Sequence, residues 1–398
     1  MQYDLVFEGG GAKGMVFVGA MQVFESLGHT HGRLLGTSAG AISAALLAAG
    51  YTTDEMLVAL AEKKDGHSVF SDFMSVPPQL DKEAVRGSAT RQLLSQLDLP
   101  FIPDLFEERL EDQLLGWLTR QDSLRCAFSF IELGGWYSAE NFLSWLKLKL
   151  DTGMHAGGPR RYSGLTLKEF YEATTKDVSF IAADTSENTM VVLNHRTAPD
   201  LPLVWAVRMS MSLPLLWQEV VWLEEWGLYR GRAMAGHALV DGGMLSNFPI
   251  ELLVSKAVTV TSVMGPDPSQ HVLGLLIDES LPVPGAETAV QAAKSFSLGE
   301  LRTVQRLANL VNTATRARDK SVIEAVEDLV VRLPAKGYGT TEFDMSDERR
   351  DLLVEAGRQA MQAYFDRAGV AVVSFGPPVT SEVDQARAAD KIALKILD

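Results

Sequence analysis

Within the first fifty residues, two short runs rich in strand formers each end in a glycine turn and give way to apolar residues at helical spacing. Residues 3–8 lead into Gly9-Gly10-Gly11-Ala12-Lys13-Gly14, and residues 15–27 then repeat apolar positions with the period of a helix. Residues 33–35 lead into Gly36-Thr37-Ser38-Ala39-Gly40, after which an alanine-rich helix begins. Two strand–turn–helix units in succession predict an α/β sheet protein.

From about 51 to 176 the pattern turns mostly helical and irregular, broken by Pro77-Pro78, Pro100, Pro103 and Gly157-Gly158-Pro159. This stretch reads as an insertion that caps the sheet. Strand patterns return at 179–184, 190–195, 218–223 and 238–241, with a helix at 202–211 between them. Further strands are expected at 272–277 and 329–333, a long helix at 287–318 and another at 346–368. The tail, 381–398, alternates charges with Ile392, Leu394, Ile396 and Leu397, which suits a short helix docked on the body or on a partner. The organisation expected is one domain over 1–375, with 51–176 inside it, and a helical tail over 376–398.

Composition narrows the classes of function. The 398 residues carry 36 Lys and Arg against 51 Asp and Glu, a formal net charge of −15. Neutralising phosphates needs a basic surface, so a nucleic-acid partner is not expected, and adsorption to anionic lipid would need help. The lone Cys126 offers no intrachain disulfide and no thiolate metal cluster. Asp4 and Glu8 stand where a signal peptide would carry positive charge. The small-and-apolar stretch 39–50 is far shorter than the ~20 residues that span a bilayer. A cytoplasmic protein, with no metal or cofactor, is the expectation.

Two turns and one aspartate carry the candidate chemistry. Gly36–Gly40 fits G-x-S-x-G, in which small neighbours permit a sharp strand-to-helix turn that holds a serine hydroxyl above the sheet edge. The helix after Ser38 would favour negative charge there; the alternative is a glycine turn with an N-capping serine. Gly9–Gly14 exposes backbone N–H groups with no side chains in the way, which suits an oxyanion. It also matches G-x-G-x-x-G, but no acidic residue ends the next strand as a dinucleotide site requires, and the Lys13-Gly14 order fails the P-loop pattern. Asp241-Gly242-Gly243 closes a strand-like run, where an aspartate could accept the serine proton or simply cap a turn.

These motifs, in this order, resemble the patatin-like phospholipases, which combine a glycine-rich G-G-G-x-[KR]-G loop, a G-x-S-x-G elbow and a D-G-[GA] aspartate. Arg208-Met209-Ser210-Met211-Ser212-Leu213-Pro214 is similar to the family's R-x-S-x-S-x-P stretch, and Asn247-Phe248-Pro249 to its N-x-P. The segment from Gly339 to Asp344 looks like a closing segment of bacterial members. The resemblance covers roughly residues 3–370.

It implies a three-layer sandwich with a mostly parallel central sheet flanked by helices, plus the mostly helical insertion. It also implies a lipid acyl hydrolase of the phospholipase A or lysophospholipase type. Ser38 would be the nucleophile and Asp241 its general base, with Gly36, Thr37, Ala39 and Gly40 forming the elbow and Gly242 and Gly243 completing the aspartate motif. Backbone N–H groups of Gly10, Gly11 and Ala12, within the loop Gly9, Gly10, Gly11, Ala12, Lys13 and Gly14, would hold the oxyanion. The partners implied are a lipid ester, transient contact with a membrane surface and a protein or small-molecule activator. The alternative is a latent or partner-activated module with weak esterase activity.

Several residues have two readings. His271 would complete a Ser-Asp-His order like that of α/β-hydrolases, or sit in a surface loop. Lys13 could attract a phosphate head group or extend from a helix start; Arg208 could form an internal ion pair or touch substrate. The seven tryptophans, all between 117 and 226, could fill the core or line an acyl-chain entrance.

Overall fold

The alternation of apolar residues along the strands builds two cores, one on each face of a central sheet. The computed structural model describes residues 1–78, 88–89, 121–266, 269, 271–286, 319–320, 322–371 and 382–397. The chain runs β1 (Gln2–Phe7), α1 (Met15–Ser26), β2 (Thr30–Thr37) and α2 (Ala39–Ala48), and then the mostly helical stretch. It continues with β3 (Val178–Asp184), β4 (Thr189–Leu193), α3 (Leu203–Ser210), β5 (Val220–Val221) and β6 (Ala238–Asp241). Last come β7 (His271–Pro282), β8 (Val330–Lys336), α4 (Asp347–Ala371) and α5 (Glu382–Leu397).

The sheet order is β5-β6-β3-β2-β1-β7-β8, with β4 paired to β3. Strands β3, β2, β1, β7 and β8 are mutually parallel, while β4, β5 and β6 are antiparallel to their neighbours. Side chains alternate across a strand, so Leu5, Phe7, Leu34, Phe180 and Leu275 enter the core beneath α1 and α2. Val6, Leu35, Ile181, Val192 and Leu276 face the opposite core with residues 248–264 and Ala389 and Ala393 of α5. Helix, sheet and helix make three layers, as expected.

The described part of 51–176 contributes helices Thr53–Leu60, Val69–Asp72, Asp122–Glu132, Glu140–Leu150 and Leu167–Thr174. Met56, Leu60, Phe73, Phe142, Trp145 and Phe170 from it join the α1–α2 core. The tail helix docks on the body, where the Asp390 carboxylate accepts from the Ser255 hydroxyl and the Lys256 and Ala257 N–H groups. The strand expected at 218–223 shrinks to two residues, because Gln218 and Glu219 donate their N–H groups to Tyr137 and Leu133 outside the sheet. The helix expected at 287–318 lies outside the described residues. Among those described, no helix is long and apolar enough to cross a membrane.

Helix α4 lies close against α1. A Cβ on Gly19 would stand 1.8 Å from the Val354 carbonyl oxygen, and one on Gly357 would stand 2.1 Å from that of Val16. Glycines at both positions let the helix backbones touch, and the strap that links β8 to α4, residues 337–346, is thereby drawn across the Gly9–Gly14 turn.

Candidate active site

Sheet register brings Ser38 and Asp241 together. Strands β2 and β6 share one edge of β3, with Thr37 opposite Ile181 and Asp241 opposite the next residue, Ala182. One strand runs parallel to β3 and the other antiparallel, so their carboxyl ends meet head to head. Ser38 follows directly on the first and Asp241 ends the second.

Ser38 holds φ 54° and ψ −120°, a strained conformation for a residue with a Cβ. Its neighbours leave no room for side chains: a Cβ on Gly36 would lie 2.3 Å from the Gly40 carbonyl oxygen, and one on Gly40 would lie 2.3 Å from that of Phe7. The Ser38 carbonyl starts α2 by accepting from Ala41 and Ile42. Its hydroxyl makes no capping bond to the helix, so the N-cap reading fails and the side chain is free for the cleft. The Ser38 N–H donates to the Ser210 hydroxyl at 3.1 Å, and the Asp241 N–H donates to the Ser212 carbonyl at 2.9 Å. The Arg208–Pro214 stretch therefore grips the backbone at both residues.

The Asp241 carboxyl is 1% exposed. Its Oδ1 accepts from the Gly243 N–H at 2.8 Å. Its Oδ2 is buried with no partner at full hydrogen-bond geometry, and the nearby Ser38 hydroxyl and the Gly243 N–H stabilise the charged form. Burial outweighs both and pushes the Asp241 pKa up to about 7, a value suited to proton exchange near neutrality.

In the glycine turn, Gly11 takes φ +55°, and a Cβ there would stand 2.1 Å from the Thr340 carbonyl oxygen. That same carbonyl accepts the Ala12 N–H at 2.9 Å, and Lys13 donates back to Gly10. Of the three N–H groups expected to face an oxyanion, Ala12's is thus already engaged, while those of Gly10 and Gly11 have no acceptor among the described residues.

Asn247 fastens the turn from behind. Its side-chain amide donates to the Gly9 carbonyl at 2.8 Å and to Glu8 Oε1 at 3.0 Å, and its main-chain carbonyl accepts the Gly9 N–H at 3.2 Å. Glu8, whose Oε2 accepts from Ile277 N–H, has its pKa raised to about 8, chiefly by burial.

Lys13 is 4% exposed and pairs with Glu279, so it neither faces a head group nor extends into solvent. Arg208 is also buried, but its partners are the Ser212 hydroxyl and the Gln218 and Ser138 carbonyls rather than a carboxylate. Desolvation lowers its pKa to about 9. It is a hydrogen-bonding hub, not the expected ion pair.

Above Ser38 lies an apolar cleft with about 540 Å³ of atom-free space, its open mouth included. Gly11, Ala12, Ser38 and Ala39 line its floor, and Ile42, Leu60, Phe70, Phe73, Trp217 and Phe343 are among its walls. Trp145, Trp217, Trp222 and Trp226 are all buried in the core, and Trp217 also lines the cleft. His271 is exposed at the amino end of the parallel strands, level with Tyr3, which sets it roughly 20 Å from Ser38 along the strand direction at about 3.3 Å per strand residue. His237 pairs with Asp184 at 2.7 Å. Neither histidine completes a triad with Ser38.

The parts that sequence reasoning left without a role are Ser210, Ser212, Asn247, Thr340 and the aromatic wall. The first four lie inside motifs already singled out, so a signal existed. Leu60, Phe70 and Phe73 sit in an ordinary helical pattern and carry none.

The fold and site define an α/β protein in which a strained serine meets a buried aspartate beneath an apolar cleft. The family model for patatin-like phospholipase matches residues 5–254, and the chain belongs to that family. It is 25% identical over 371 residues to the uncharacterized protein YqhO of Bacillus subtilis (strain 168), covering 92% of this chain and 98% of that one. It is 21% identical over 250 residues to the probable lipid hydrolase 463L of Invertebrate iridescent virus 6, covering 63% of this chain and 62% of that one. Among solved structures, VipD from Legionella pneumophila aligns with a TM-score of 0.44 at 16% identity, over 92% of this chain and 67% of that chain.

Proposed function

We propose that the protein is a lipid acyl hydrolase of the phospholipase A or lysophospholipase type, working through Ser38 and Asp241. The observation that carries this reading is the head-to-head meeting of β2 and β6, which sets a strained serine beside a buried carboxyl at the floor of an apolar cleft. Membership of the patatin-like phospholipase family agrees with it.

In this mechanism Asp241, ionised above its pKa of about 7, accepts the Ser38 proton as the hydroxyl oxygen attacks the ester carbonyl. The N–H groups of Gly10 and Gly11, with the start of α2, receive the charge that develops on the carbonyl oxygen. The tetrahedral species collapses to an acyl-Ser38 ester, and the proton held by Asp241 passes to the departing alkoxide. Water then attacks the acyl ester as Asp241 again takes the proton, the acyl–Oγ bond breaks to release the fatty acid, and Asp241 returns the proton to the Ser38 oxygen. The acyl chain lies against Phe70, Phe73, Trp217 and Phe343, where burying each methylene is worth about 0.8 kcal/mol.

Release of free fatty acid from phospholipid vesicles tests the reading. Wild type should release it, and Ser38→Ala and Asp241→Asn should not. A wild type as inert as Ser38→Ala, on vesicles and on a soluble short-chain ester, would overturn it. One observation favours a second reading, a latent enzyme that needs a partner: the Thr340 carbonyl already holds the Ala12 N–H. Activity on the soluble ester alone is its signature.

A further inference from the structure

Beside the cleft over Ser38 lies a second cavity, with about 340 Å³ of atom-free space including its mouth. The two share Ala12, Met15, Leu60, Phe70 and Phe343 as walls. Beyond those residues the second cavity is bordered by Met345 and by Lys63, Asp347 and Arg350, which are paired to one another through Asp347. Phe70 and Phe343 are therefore common walls, with open space on both sides of their rings.

The two rings stand 6.5 Å apart, and Phe343 also packs 5.8 Å from Trp217. Phe343 is held there by its strap rather than by a regular element. On one side of it the Thr340 carbonyl holds the Ala12 N–H. On the other, the Asp344 carboxylate accepts from the Ser68 N–H and meets the His67 ring, both at 3.2 Å. Arg349 braces the strap through Glu342. A side chain pinned on both flanks keeps its place when a flexible apolar chain is pressed against it.

We propose that Phe343, with Phe70 opposite, ends the acyl-chain site and so sets the length of chain the protein accepts. This rests on the reading of the cleft as an acyl site. An acyl chain with its carboxyl carbon at Ser38 fills the apolar cleft until it meets the Phe70–Phe343 wall; further methylenes stay in water. Removing the Phe343 ring joins the cleft to the second cavity, whose inner lining of Met15, Leu60 and Met345 is apolar. Longer chains then fit.

The test is a binding ladder that needs no turnover. Saturated fatty acids from octanoate to stearate compete with a fluorescent fatty acid for wild type, Phe343→Ala, Phe343→Leu and Phe343→Trp. While the chain is still being buried, each added methylene should raise affinity about fourfold, and the gain should stop where the wall stands. In wild type the plateau should come before the longest chain. Phe343→Ala and Phe343→Leu should move it to longer chains, with about a fourfold gain for each methylene newly accepted, and Phe343→Trp should move it to shorter ones. The leucine and tryptophan variants keep a bulky apolar group, so the opposed shifts do not depend on the alanine variant folding.

Identical plateaus in folded wild type, leucine and tryptophan variants would overturn the proposal, as would a wild type whose affinity climbs through the whole series. Hydrolysis of a short-chain ester by the same preparations, with Ser38→Ala as control, tests the catalytic reading separately. Shifted plateaus without hydrolysis would reject the enzyme and keep the length-setting wall.

Discussion

The elbow at Ser38 and the wall at Phe343 face the same cleft, yet the chain builds them in opposite ways. The elbow is local: Gly36, Ser38 and Gly40 lie within five residues, and their tight turn follows from missing side chains and one strained backbone. The wall is assembled at long range, from Leu60, Phe70, Trp217 and Phe343 on four separate segments. Chemistry that needs atoms fixed relative to one another is encoded in short motifs. Shape, which many apolar residues can supply, is left to tertiary packing.

The sharpest way to break this contrast is to remove the elbow's hydroxyl. Ser38→Ala should lower ester hydrolysis by about a thousandfold or more and leave the melting temperature nearly unchanged, as read by fatty-acid release and thermal denaturation. Asp241→Asn should cost about a thousandfold, the range for losing a positioned general base.

The aspartate also gives opposed pH trends. Its folded pKa is raised from 3.8 to about 7, so the folded state binds more protons than the unfolded state between those values. Its contribution to stability therefore falls as pH rises from about 4 to about 7 and is level above that. Glu8, raised from 4.5 to about 8, adds to the same trend. Activity, which needs the ionised carboxylate, should rise through pH 7 in kcat/KM. Asp241→Asn should flatten part of the stability slope in denaturant titrations and be more stable than wild type at pH 8.

Next comes the glycine turn. Gly11→Ala demands φ +55° of a residue with a Cβ and sets that carbon against the Thr340 carbonyl. It should cost more than about 1 kcal/mol of stability and lower kcat by displacing the turn. Ser210→Ala leaves the buried Ser38 N–H without its acceptor, worth about 1–3 kcal/mol. We expect a tenfold to hundredfold fall in kcat at little change in KM, with partial rescue by Ser210→Thr. A uniform loss of folded protein would mark Ser210 as structural only. The smallest effect belongs to His271→Ala, which should stay within about twofold of wild-type activity, as expected of an exposed side chain far from the elbow.

The sequence pattern carried most of the parallel sheet, because buried strands and glycine turns leave local signals at 3–8, 33–35, 179–184 and 329–333. It overran the short β5, expected over 218–223, because Gln218 and Glu219 turn away to pair with Tyr137 and Leu133. The motifs at Ser38, Asp241 and Gly9–Gly14 were legible because each needs particular residues at fixed spacing. The roles of Lys13 and Arg208 were not, since burial and partner choice arise from distant segments: Glu279 for one, the Ser138 and Gln218 carbonyls for the other. The engagement of Ala12 by Thr340 was illegible for the same reason, being a contact across more than three hundred residues of chain.

The central claim, that Ser38 is the nucleophile and Asp241 its base, is tested most directly by covalent labelling. A fluorophosphonate ester carrying an alkyl chain should add a single group to wild type, with peptide mass spectrometry placing it on Ser38. Ser38→Ala should take up none, and Asp241→Asn should label far more slowly, with the wild-type rate rising through pH 7. A label on any other residue, or ester hydrolysis that persists once Ser38 is fully modified, would contradict the account.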